Sequence, residues 1–388
     1  MQKVQVLLIG IGGYGARHLG ELLDGNDGSF ELAGIVDPFA AASPRFGELA
    51  ARSIPVFLTP AEFYAEKHAD LAVIASPIHT HYPYVLACFE NGSRVLCEKP
   101  VTGDLAELDE LIAREKKTGL FAAVGFQLCF SPDVLALKKD ILDGLFGKPL
   151  EFKVLRFPRR GTKYYRRNSW AGKLTFEGRT ILDSPLQNAC AHEMQNMLFL
   201  LGEEMNRSAA VEFAEAELWQ ARPDIENYDA AAIRLRTGSG VRLLFYTAHC
   251  IEESTPGPLG EYRFENALVR WGGQAGPGFT AYFDDGTVKS YDTLAKENDF
   301  RKTHDVIEAV RSGATPVCTL ETVRSHLQCV TMVQQFPVKK VPPEKLVQAT
   351  AKDSNEDDDT FYYVPGLAKA FFSAYEKNVL PSEIGFSL

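Results

Sequence analysis

The stretch Val4-Gln5-Val6-Leu7-Leu8-Ile9, followed directly by Gly10-Ile11-Gly12-Gly13-Tyr14-Gly15, decides the fold of the N-terminal part of this chain. The first six residues are apolar apart from Gln5, as is typical of a parallel strand that is covered on both faces. The glycine-rich hexapeptide has the G-x-G-x-x-G spacing that permits a tight turn from such a strand into a helix. The sequence therefore predicts that the chain opens with a β-strand, a glycine turn and an α-helix.

Apolar runs and amphipathic stretches alternate from this opening to about Gly125, which is the rhythm of β-α-β units. The clearest predicted helix runs from Asp104 to Thr118, with Asp104 as its N-cap and Gly119 as its end. Further buried strands are predicted at residues 32–36, 71–75, 94–97 and 121–124. We therefore expect residues 1–125 to form an α/β domain of the Rossmann type, with a doubly wound, mostly parallel sheet.

The pattern changes after a predicted helix near residues 133–145, because short strands with tight turns such as Thr237 to Gly240 replace the crossovers. The predicted strands are residues 150–157, 210–219, 230–236, 241–248, 262–271 and 279–283. Residues 126–345 are therefore expected to form an α+β domain with a large, mostly antiparallel open sheet. We expect helices on one face of that sheet, and a further helix at residues 299–311.

The remaining residues, 346–388, are expected to form a C-terminal extension with an acidic loop and a final helix near residues 367–375. The loop runs from Asp353 to Thr360 and is rich in Asp. A solvated loop is the simpler interpretation of such a charge run, and cation binding is the alternative.

Bulk composition restricts the class of partner. The chain has 388 residues, of which 45% are apolar and 24% charged, as expected for a globular protein of two domains. Its formal net charge of −10 argues against nucleic acid and anionic membranes, which clustered Lys and Arg bind. No stretch approaches the about 20 apolar residues of a membrane span, and Val4 follows Met1 too closely for a signal peptide. We expect a cytoplasmic protein that binds small molecules.

The seven cysteines are scattered along the chain and show no C-x-x-C spacing. Zinc sites and disulfide frameworks both depend on regular spacings of this kind. We therefore expect neither a metal site nor a disulfide.

The glycine turn is the predicted cofactor site. Its backbone amides and the positive end of the following helix dipole suit the pyrophosphate of a dinucleotide. Asp37 closes the second predicted strand, 22 residues after Gly15, where an acidic residue accepts hydrogen bonds from the adenosine ribose. The first Arg after Asp37 is Arg45, so NAD is favoured and NADP is possible. The alternative is that the glycines serve only the turn and that Asp37 is a surface turn residue.

Two further motifs follow predicted strands of the same sheet. Ser76-Pro77-Ile78-His79-Thr80-His81 comes after one strand and Glu98-Lys99-Pro100 after the next. Ligands of doubly wound folds bind at the carboxyl ends of the strands, where both motifs are expected. The Lys99 ammonium is therefore a candidate for binding a substrate hydroxyl, and a surface lysine paired with Glu98 is the alternative.

In these motifs the chain resembles the Gfo/Idh/MocA family of sugar and cyclitol oxidoreductases. The family's Rossmann glycines, its small residue and Pro followed by a His, and its E-K-P signature all have counterparts, and Gln127 stands where the family has an Asn near the nicotinamide. The resemblance implies NAD(P) binding by Gly10, Ile11, Gly12, Gly13, Tyr14, Gly15, Asp37, Ser76, Pro77, His81, Glu98, Lys99 and Gln127.

The resemblance also implies a catalytic histidine in the second domain. The family usually carries D-x-G-x-H followed by an Asp, and this chain has Asn188 to His192 followed by Gln195 at the same spacing. His192 is then the general base, whereas Asn188 can orient the ring but cannot supply a negative charge. Asp183 and Glu193 are the nearby carboxylates that can compensate. The alternative for His192 is a hydrogen-bonded core histidine on an apolar helix face that includes Met197, Leu198 and Leu201.

The stretch from Arg156 to Trp170 concentrates positive charge and aromatic residues in an acidic protein. Arg binds carboxylate and phosphate in bidentate fashion, and Tyr and Trp stack on sugar rings. We expect the substrate to be bound by Tyr164, Tyr165, Arg167 and Trp170, together with Asp183, Asn188 and His192. A solvated or subunit-contact loop is the alternative.

These predictions combine into an NAD(P)-dependent oxidoreductase that transfers hydride between a nicotinamide and a hydroxyl carbon of a sugar, cyclitol or sugar acid. Lys99 positions the hydroxyl, His192 is the general acid/base and Asn188 supports it. Two alternatives remain: a dinucleotide-binding sensor without turnover, and an NAD-using glycoside hydrolase or lyase. Because an open antiparallel sheet has a face and edges to bury, we expect a homodimer or homotetramer.

Overall fold

The computed structural model describes residues 3–273, 276, 278–291, 300–352 and 357–388. The acidic loop predicted at residues 353–360 lies partly outside these described residues, as does the first residue of the helix predicted at 299–311. The described chain divides into two compact units. The first comprises the residues up to Phe130 and those from Phe300 to Arg324, and the second comprises the remainder.

Eleven α-helices lie within the described ranges. In chain order they are α1 (Tyr14–Asp24), α2 (Phe46–Ala51), α3 (Pro60–Glu66), α4 (His81–Glu90), α5 (Leu105–Thr118), α6 (Pro132–Leu142), α7 (Thr162–Arg166), α8 (Ala191–Leu200), α9 (Arg301–Ser312), α10 (Leu320–Val333) and α11 (Leu367–Lys377).

Nineteen strands lie within the same ranges. They are β1 (Val4–Ile9), β2 (Phe30–Val36), β3 (Val56–Phe57), β4 (Leu71–Ile74), β5 (Arg94–Cys97), β6 (Ala122–Val124), β7 (Pro149–Arg156), β8 (Thr175–Phe176), β9 (Arg179–Thr180), β10 (Val211–Gln220), β11 (Ala230–Thr237), β12 (Arg242–Ala248), β13 (Leu259–Phe264), β14 (Ala267–Gly272), β15 (Phe279–Phe283), β16 (Val288–Tyr291), β17 (Val338–Lys340), β18 (Val347–Lys352) and β19 (Asp358–Tyr363).

The first unit is built on a six-stranded parallel sheet in the order β3-β2-β1-β4-β5-β6. This is the doubly wound order of a Rossmann domain, so the predicted fold class is confirmed. Helix α5 begins and ends as predicted, because the Asp104 carboxylate accepts a hydrogen bond from Ala106 N at 2.8 Å. The helix stops at Gly119, which is left-handed with φ of 69°.

A late segment of the chain completes this unit. Helix α9 packs against β1 and β5, and Cys318 O accepts a hydrogen bond from Val124 N of β6 at 2.9 Å. The unit therefore includes residues 300–324, which we had expected to belong to a domain of residues 126–345. The apolar face of α9, which contains Val306 and Ile307, is visible in the sequence, but the sequence does not tell which sheet that face covers.

The second unit is built on a nine-stranded sheet in the order β16-β15-β14-β13-β7-β12-β11-β10-β17. All neighbours are antiparallel except β7 with β12 and β10 with β17, so the prediction of a large, mostly antiparallel sheet is confirmed. The prediction of one strand over residues 262–271 is wrong, because β13 and β14 form a hairpin there. Its turn at Glu265 and Asn266 contains neither Gly nor Pro, the residues that mark turns in a sequence.

Helices cover both faces of this sheet, so the prediction of helices on one face is wrong. On β12, Tyr246 Oη donates a hydrogen bond to Val379 O at 2.7 Å, beside α11. The next residue, Thr247, donates to Cys190 Sγ at 3.2 Å, beside α8. Successive strand side chains point to opposite faces, so α8 and α11 lie on opposite sides. The final helix predicted near residues 367–375 is present as α11.

Candidate functional site

The glycine turn of the first unit is tightly packed on the inside and open on the outside. A Cβ on Gly15 would lie 2.2 Å from Gly10 O, and one on Gly10, whose φ is +89°, would lie 2.7 Å from Ser76 N. A Cβ on Gly12 or Gly13 would meet nothing within 4 Å. The outer glycines thus leave bare backbone at the start of α1, where a pyrophosphate can approach closely. The turn fits a dinucleotide.

Asp37 is anchored beside this turn by two backbone amides. Its carboxylate accepts hydrogen bonds from Ile11 N at 2.8 Å and from Phe39 N at 2.7 Å. Arg45 lies 2.7 Å from Asp24 and 2.6 Å from Glu48, so its charge is already balanced within the unit. The acidic residue at this position and the balanced arginine favour the ribose hydroxyls of NAD over the 2′-phosphate of NADP.

His81 joins the two loops that follow β4 and β5. Its Nε2 lies 2.7 Å from Ser76 O and its Nδ1 lies 2.8 Å from Pro100 O. The ring is only 1% exposed, and this burial lowers the pKa of His81. We had expected His81 to contact the cofactor. In the structure its ring nitrogens are occupied by protein carbonyls, and it positions the neighbouring Ser76-Pro77 loop.

Glu98 is held in a buried ionic cluster. Lys302 Nζ lies 2.6 Å and His18 Nε2 lies 2.8 Å from the same oxygen, Glu98 Oε1, and both partner side chains are fully buried. Burial acts to raise the pKa of Glu98, but the Lys302 charge and the His18 hydrogen bond outweigh it, so the net pKa is well below its ordinary value. The Glu98 carboxylate was expected at the cofactor. Instead it faces this cluster, which fixes the backbone next to Lys99.

The cluster partner Lys302 was missed by sequence reasoning. It lies on α9 at helical spacing from Val306 and Ala309, which are both buried. A lysine on an apolar helix stripe is a signal for a buried charge partner, since lysines are seldom buried without one. The sequence shows this signal but does not show that Glu98 is the partner.

Lys99 and Gln127 lie at the same edge of the first sheet. Lys99 follows β5 and is partly exposed, and Gln127 opens a single 3-10 turn that begins three residues after the end of β6. The glycine turn follows β1 and Asp37 follows β2, so all four positions are at carboxyl ends of parallel strands. This edge is where ligands bind in doubly wound sheets.

In the second unit, Asn188 is hydrogen-bonded to a buried carboxylate. Its Nδ2 donates to Asp183 Oδ1 at 2.8 Å, and the other Asp183 oxygen accepts from Gly172 N at 2.6 Å. Asp183 is 3% exposed. Asn188 occupies the position where the family motif carries Asp. The Asp183 carboxylate is hydrogen-bonded to the Asn188 side chain. The sequence identified Asp183 as a candidate but did not show its orientation.

His192 lies in the first turn of α8 and is partly exposed. Met197, Leu198 and Leu201 are buried, and at about 100° per residue they project from the other side of the helix. His192 therefore does not lie on that apolar face, as the alternative of a core histidine requires. Gln195, fully buried on the same helix, donates to Ser208 Oγ at 3.1 Å.

The other candidate carboxylate, Glu193, pairs with the basic stretch. Its Oε1 lies 3.6 Å from the Nε of Arg156, at the end of β7. Glu193 is thus held by an ion pair, whereas Asp183 is the carboxylate that contacts Asn188.

The basic loop after β7 carries an aromatic cluster around α7. Tyr165 is 8% exposed, and its hydroxyl lies 2.7 Å from Nδ1 of His249, so this residue is buried rather than lining a pocket as we had expected. Arg167 is exposed, and its guanidinium lies 3.7 Å from the ring centre of Tyr164 and 5.0 Å from that of Trp170. Arg167 thus brings Tyr164 and Trp170 together on the outside of the cluster, whereas Tyr165 lies inside it.

His249 is a further functional candidate that sequence reasoning missed. It directly follows β12, and its ring is 2% exposed. Burial, followed by the charges of Arg160, Arg167 and Arg222, holds the pKa of His249 well below its ordinary value. Three arginine charges therefore act on this buried ring.

Within residues 3–273, 276, 278–291, 300–352 and 357–388, no group of three or more His, Cys, Asp or Glu side chains is placed to hold a metal ion. No helix in that part of the chain combines the length and apolar character of a membrane span. All seven cysteines are buried, and none of them forms a disulfide.

Known proteins are similar to this chain in sequence. Residues 4–126 match the GFO_IDH_MocA model, described as an oxidoreductase family with an NAD-binding Rossmann fold. Inositol 2-dehydrogenase 1 from Mycolicibacterium vanbaalenii is 27% identical over 328 residues, which are 81% of this chain and 87% of that protein. Inositol 2-dehydrogenase from Mycolicibacterium smegmatis is 35% identical over 158 residues, which are 39% of this chain and 43% of that protein.

Solved structures share the fold. The WlbA dehydrogenase from Bordetella pertussis, in complex with NADH and UDP-GlcNAcA, has a TM-score of 0.69 and 21% identity, over 86% of this chain and 96% of its own. An oxidoreductase from Agrobacterium radiobacter, in complex with NAD+, L-tartaric acid and magnesium, has a TM-score of 0.69 and 15% identity, over 86% of this chain and 95% of its own. At these identities the likeness shows the architecture alone.

Proposed function

We infer that this chain, which belongs to the Gfo/Idh/MocA family of NAD-binding oxidoreductases, oxidises a hydroxyl carbon of a sugar, cyclitol or sugar acid. It is an NAD-dependent dehydrogenase of the class that acts on CH–OH groups. The observation that carries the inference is the edge of the first sheet, where the open glycine turn, Asp37 and Lys99 follow neighbouring strands. The inositol 2-dehydrogenases that resemble it in sequence support a polyol substrate.

The first unit binds the cofactor in this proposal. Gly12 and Gly13 admit the pyrophosphate to the N-terminus of α1, and Asp37 accepts hydrogen bonds from the ribose. Ser76, Pro77 and Gln127 line the same edge farther along the sheet. When bound, the nicotinamide supplies the acceptor for hydride.

Lys99 positions the substrate hydroxyl. Its ammonium donates a hydrogen bond to that oxygen and favours the developing negative charge as the proton leaves. The Glu98, His18 and Lys302 cluster fixes the backbone next to Lys99, which limits how far the ammonium can move. Glu98 and Lys302 are therefore positioning residues for Lys99.

His192 takes the hydroxyl proton. An imidazole is suited to this task because it can accept and return a proton as a general acid/base. Asn188 orients the ring, and the Asp183 carboxylate, 2.8 Å from Asn188, supplies negative charge through that amide. In this proposal Asp183 takes the place of the carboxylate that the motif lacks.

The test is a turnover assay on the purified protein. NAD and NADP are each offered with a panel of polyols, sugars and glycosides, while NADH formation and bond cleavage are both recorded. We expect NADH formation with a polyol. Bond cleavage without net NADH would identify the lyase or hydrolase alternative and reject this proposal.

Two variants test the residue roles. Lys99→Met and His192→Asn should each lower kcat by about 10²-fold or more, with the Kd for NAD nearly unchanged. Lys117→Met and His68→Gln, at exposed positions, are the matched controls and should keep wild-type kcat. Equal rates for the variants and their controls would exclude Lys99 and His192 from the chemistry.

A second candidate is a dinucleotide sensor without turnover. It is favoured by Gln195, which stands where the family motif has a carboxylate and whose amide is bonded to Ser208. Tight NAD binding without NADH formation on any substrate of the panel would support the sensor.

A further inference from the structure

The second unit contains a cavity of ≈ 460 Å³ that none of the roles above explains. One wall is the loop after β7, with Arg159, Arg160, Lys163 and Tyr164, and the other is the β18–β19 hairpin, with Lys352 and Phe361. The lining therefore carries four cationic side chains and two aromatic rings. Asp359 is the one carboxylate among the described residues that line it.

Both lysines and the carboxylate of the lining are already neutralised or occupied. Lys163 Nζ lies 3.5 Å from Asp357, and Lys352 Nζ lies 2.9 Å from Asp358. Asp359 accepts a hydrogen bond from Lys163 N at 3.0 Å. The two arginines thus account for the excess positive charge of the cavity.

Arg159 has a structural task. Its guanidinium donates to Glu252 O at 2.7 Å and to Lys352 O at 3.3 Å, and it lies 4.2 Å from the ring centre of Phe361. These contacts tie the hairpin to the loop, so Arg159 builds the wall of the cavity.

Arg160 keeps hydrogen-bonding capacity that the described protein does not use. Its guanidinium lies 4.8 Å from the ring centre of Tyr164, and its Nε is buried without a hydrogen-bond partner among the described residues. No described carboxylate forms an ion pair with it. A buried polar N–H without a partner is costly, and a guanidinium offers two parallel N–H donors to a carboxylate or phosphate. Its geometry points to an anionic ligand.

The cavity shares residues with the polar cluster that contains Asn188. Tyr164 lines the cavity and also lies in the electric field of Asp183, whose carboxylate binds Asn188. Arg160 is close enough to His249 and to Cys190 for its charge to act on both. Arg160 and the Asp183–Asn188 pair thus lie in the same region of this unit.

We propose that this cavity binds an anionic group of the substrate, a carboxylate or a phosphate, with Arg160 as its direct ligand and the Tyr164 ring as a wall. The inference rests on the proposed function and narrows its substrate class to acidic polyols. It predicts that this protein binds acidic polyols more tightly than neutral polyols such as inositol.

The first experiment needs no variant and no cofactor. Wild-type protein is titrated calorimetrically with glucuronate and with glucose, which differ in one carboxylate, and then with galacturonate and galactose. We expect each acid to bind about ten-fold or more tightly than its neutral counterpart, as one charge-assisted hydrogen-bonded pair provides. Glucose 6-phosphate distinguishes a phosphate site from a carboxylate site. Equal affinities for acids, phosphate and neutral sugars would overturn the inference.

The second experiment assigns the preference to Arg160. Arg160→Gln should lose the preference for the acid, and Arg160→Lys should retain part of it. Arg166→Gln, which changes an exposed arginine of α7 in the same basic stretch, is the matched control and should keep the wild-type ratio. An unchanged ratio in folded Arg160→Gln would overturn the assignment, and if that variant does not fold, Arg160→Lys decides by the same ratio.

The two proposals fail in different ways. If the protein oxidises neutral polyols with kcat/KM equal to or above that for the acids, the anionic site is wrong and the dehydrogenase stands. If the acids bind preferentially but no substrate yields NADH, the dehydrogenase is wrong and the anionic site stands.

Discussion

At the scale of single residues, the buried charges of the first unit show how a distant residue supports a motif. Glu98 is adjacent to Lys99 in sequence, but its partner Lys302 comes from α9, near the other end of the chain. The Lys302 and His18 side chains are excluded from water and the Glu98 side chain is only 12% exposed, so the cluster is stable only while it is complete. The local motif predicts Lys99, and the packing of α9 determines how firmly it is held.

Removing one charge of this cluster should destabilise the protein. Lys302→Met leaves the Glu98 carboxylate buried without its cation, and breaking such a pair costs about 3–5 kcal/mol. We expect that loss in the free energy of unfolding measured with urea. Arg301→Gln, at the exposed neighbouring position, is the control and should change it by less than about 0.5 kcal/mol. A stable Lys302→Met protein would show that the pair contributes little.

Buried histidines should make stability fall in mild acid. Burial lowers the pKa of His18, His81 and His249 in the folded state. Such a group binds more protons unfolded than folded, so the free energy of unfolding decreases as the pH falls below about 6.5. Each ring that stays neutral costs about 1.4 kcal/mol between pH 7.5 and 5.5.

Urea unfolding at pH 7.5 and pH 5.5 measures this dependence. His68→Gln removes an exposed histidine and should keep the wild-type slope. His249→Gln removes one of these groups and should make the slope shallower. Equal stability at the two pH values would contradict neutral buried rings.

At the scale of elements, the sequence was most informative where one residue type determines a local shape. The ends of α5, set by Asp104 and Gly119, and the strand before the glycine turn were predicted almost to the residue. The β13–β14 hairpin was missed because its turn has no Gly or Pro. Helix α10 was missed as well, since neither a glycine turn nor an N-cap motif was recognised before Leu320.

Some features of the candidate site could be predicted from the sequence, and others could not. The carboxyl-end positions of Lys99 and Asp37 follow from strand order, whereas the Asp183 contact with Asn188 and the Tyr165 contact with His249 depend on tertiary packing. Pairs that are joined only by packing leave no spacing pattern in one sequence. Those contacts therefore required the structure.

The glycine turn predicts opposite phenotypes for two alanine substitutions. Gly12→Ala places a methyl group in open space and should leave the unfolding midpoint nearly unchanged, while it weakens NAD binding about ten-fold or more by blocking the pyrophosphate. Gly15→Ala places its methyl 2.2 Å from Gly10 O and should destabilise the fold by about 1–3 kcal/mol. Calorimetric NAD titration and urea unfolding separate them. Identical behaviour of the two variants would contradict this assignment.

At the scale of the whole molecule, each unit is completed by a late part of the chain. Residues 300–324 complete the first, and the C-terminal extension covers an apolar face of the second sheet. On that face Phe371 of α11 packs with Trp219 and Tyr246. The prediction of a homodimer or homotetramer relied on an open sheet face, and α11 covers part of that face within the chain itself.

Detaching α11 should expose this face. Phe371→Asp places a charge in the apolar cluster, so we expect binding of a hydrophobic dye and concentration-dependent self-association in sedimentation velocity. Lys369→Asp, on the exposed side of the same helix, is the control. A Phe371→Asp protein with the wild-type sedimentation coefficient and no dye binding would show that α11 is not what keeps the face covered.

The late return of α9 bears on how this protein is made. During synthesis, the N-terminal nucleotide-binding segment up to Phe130 leaves the ribosome with the Glu98 carboxylate still lacking its cation, and it gains Lys302 only after about 170 more residues have been added. A nascent chain halted near Phe130 should therefore be protease-sensitive. Excising this half as an independent module would require grafting residues 300–324 back onto it.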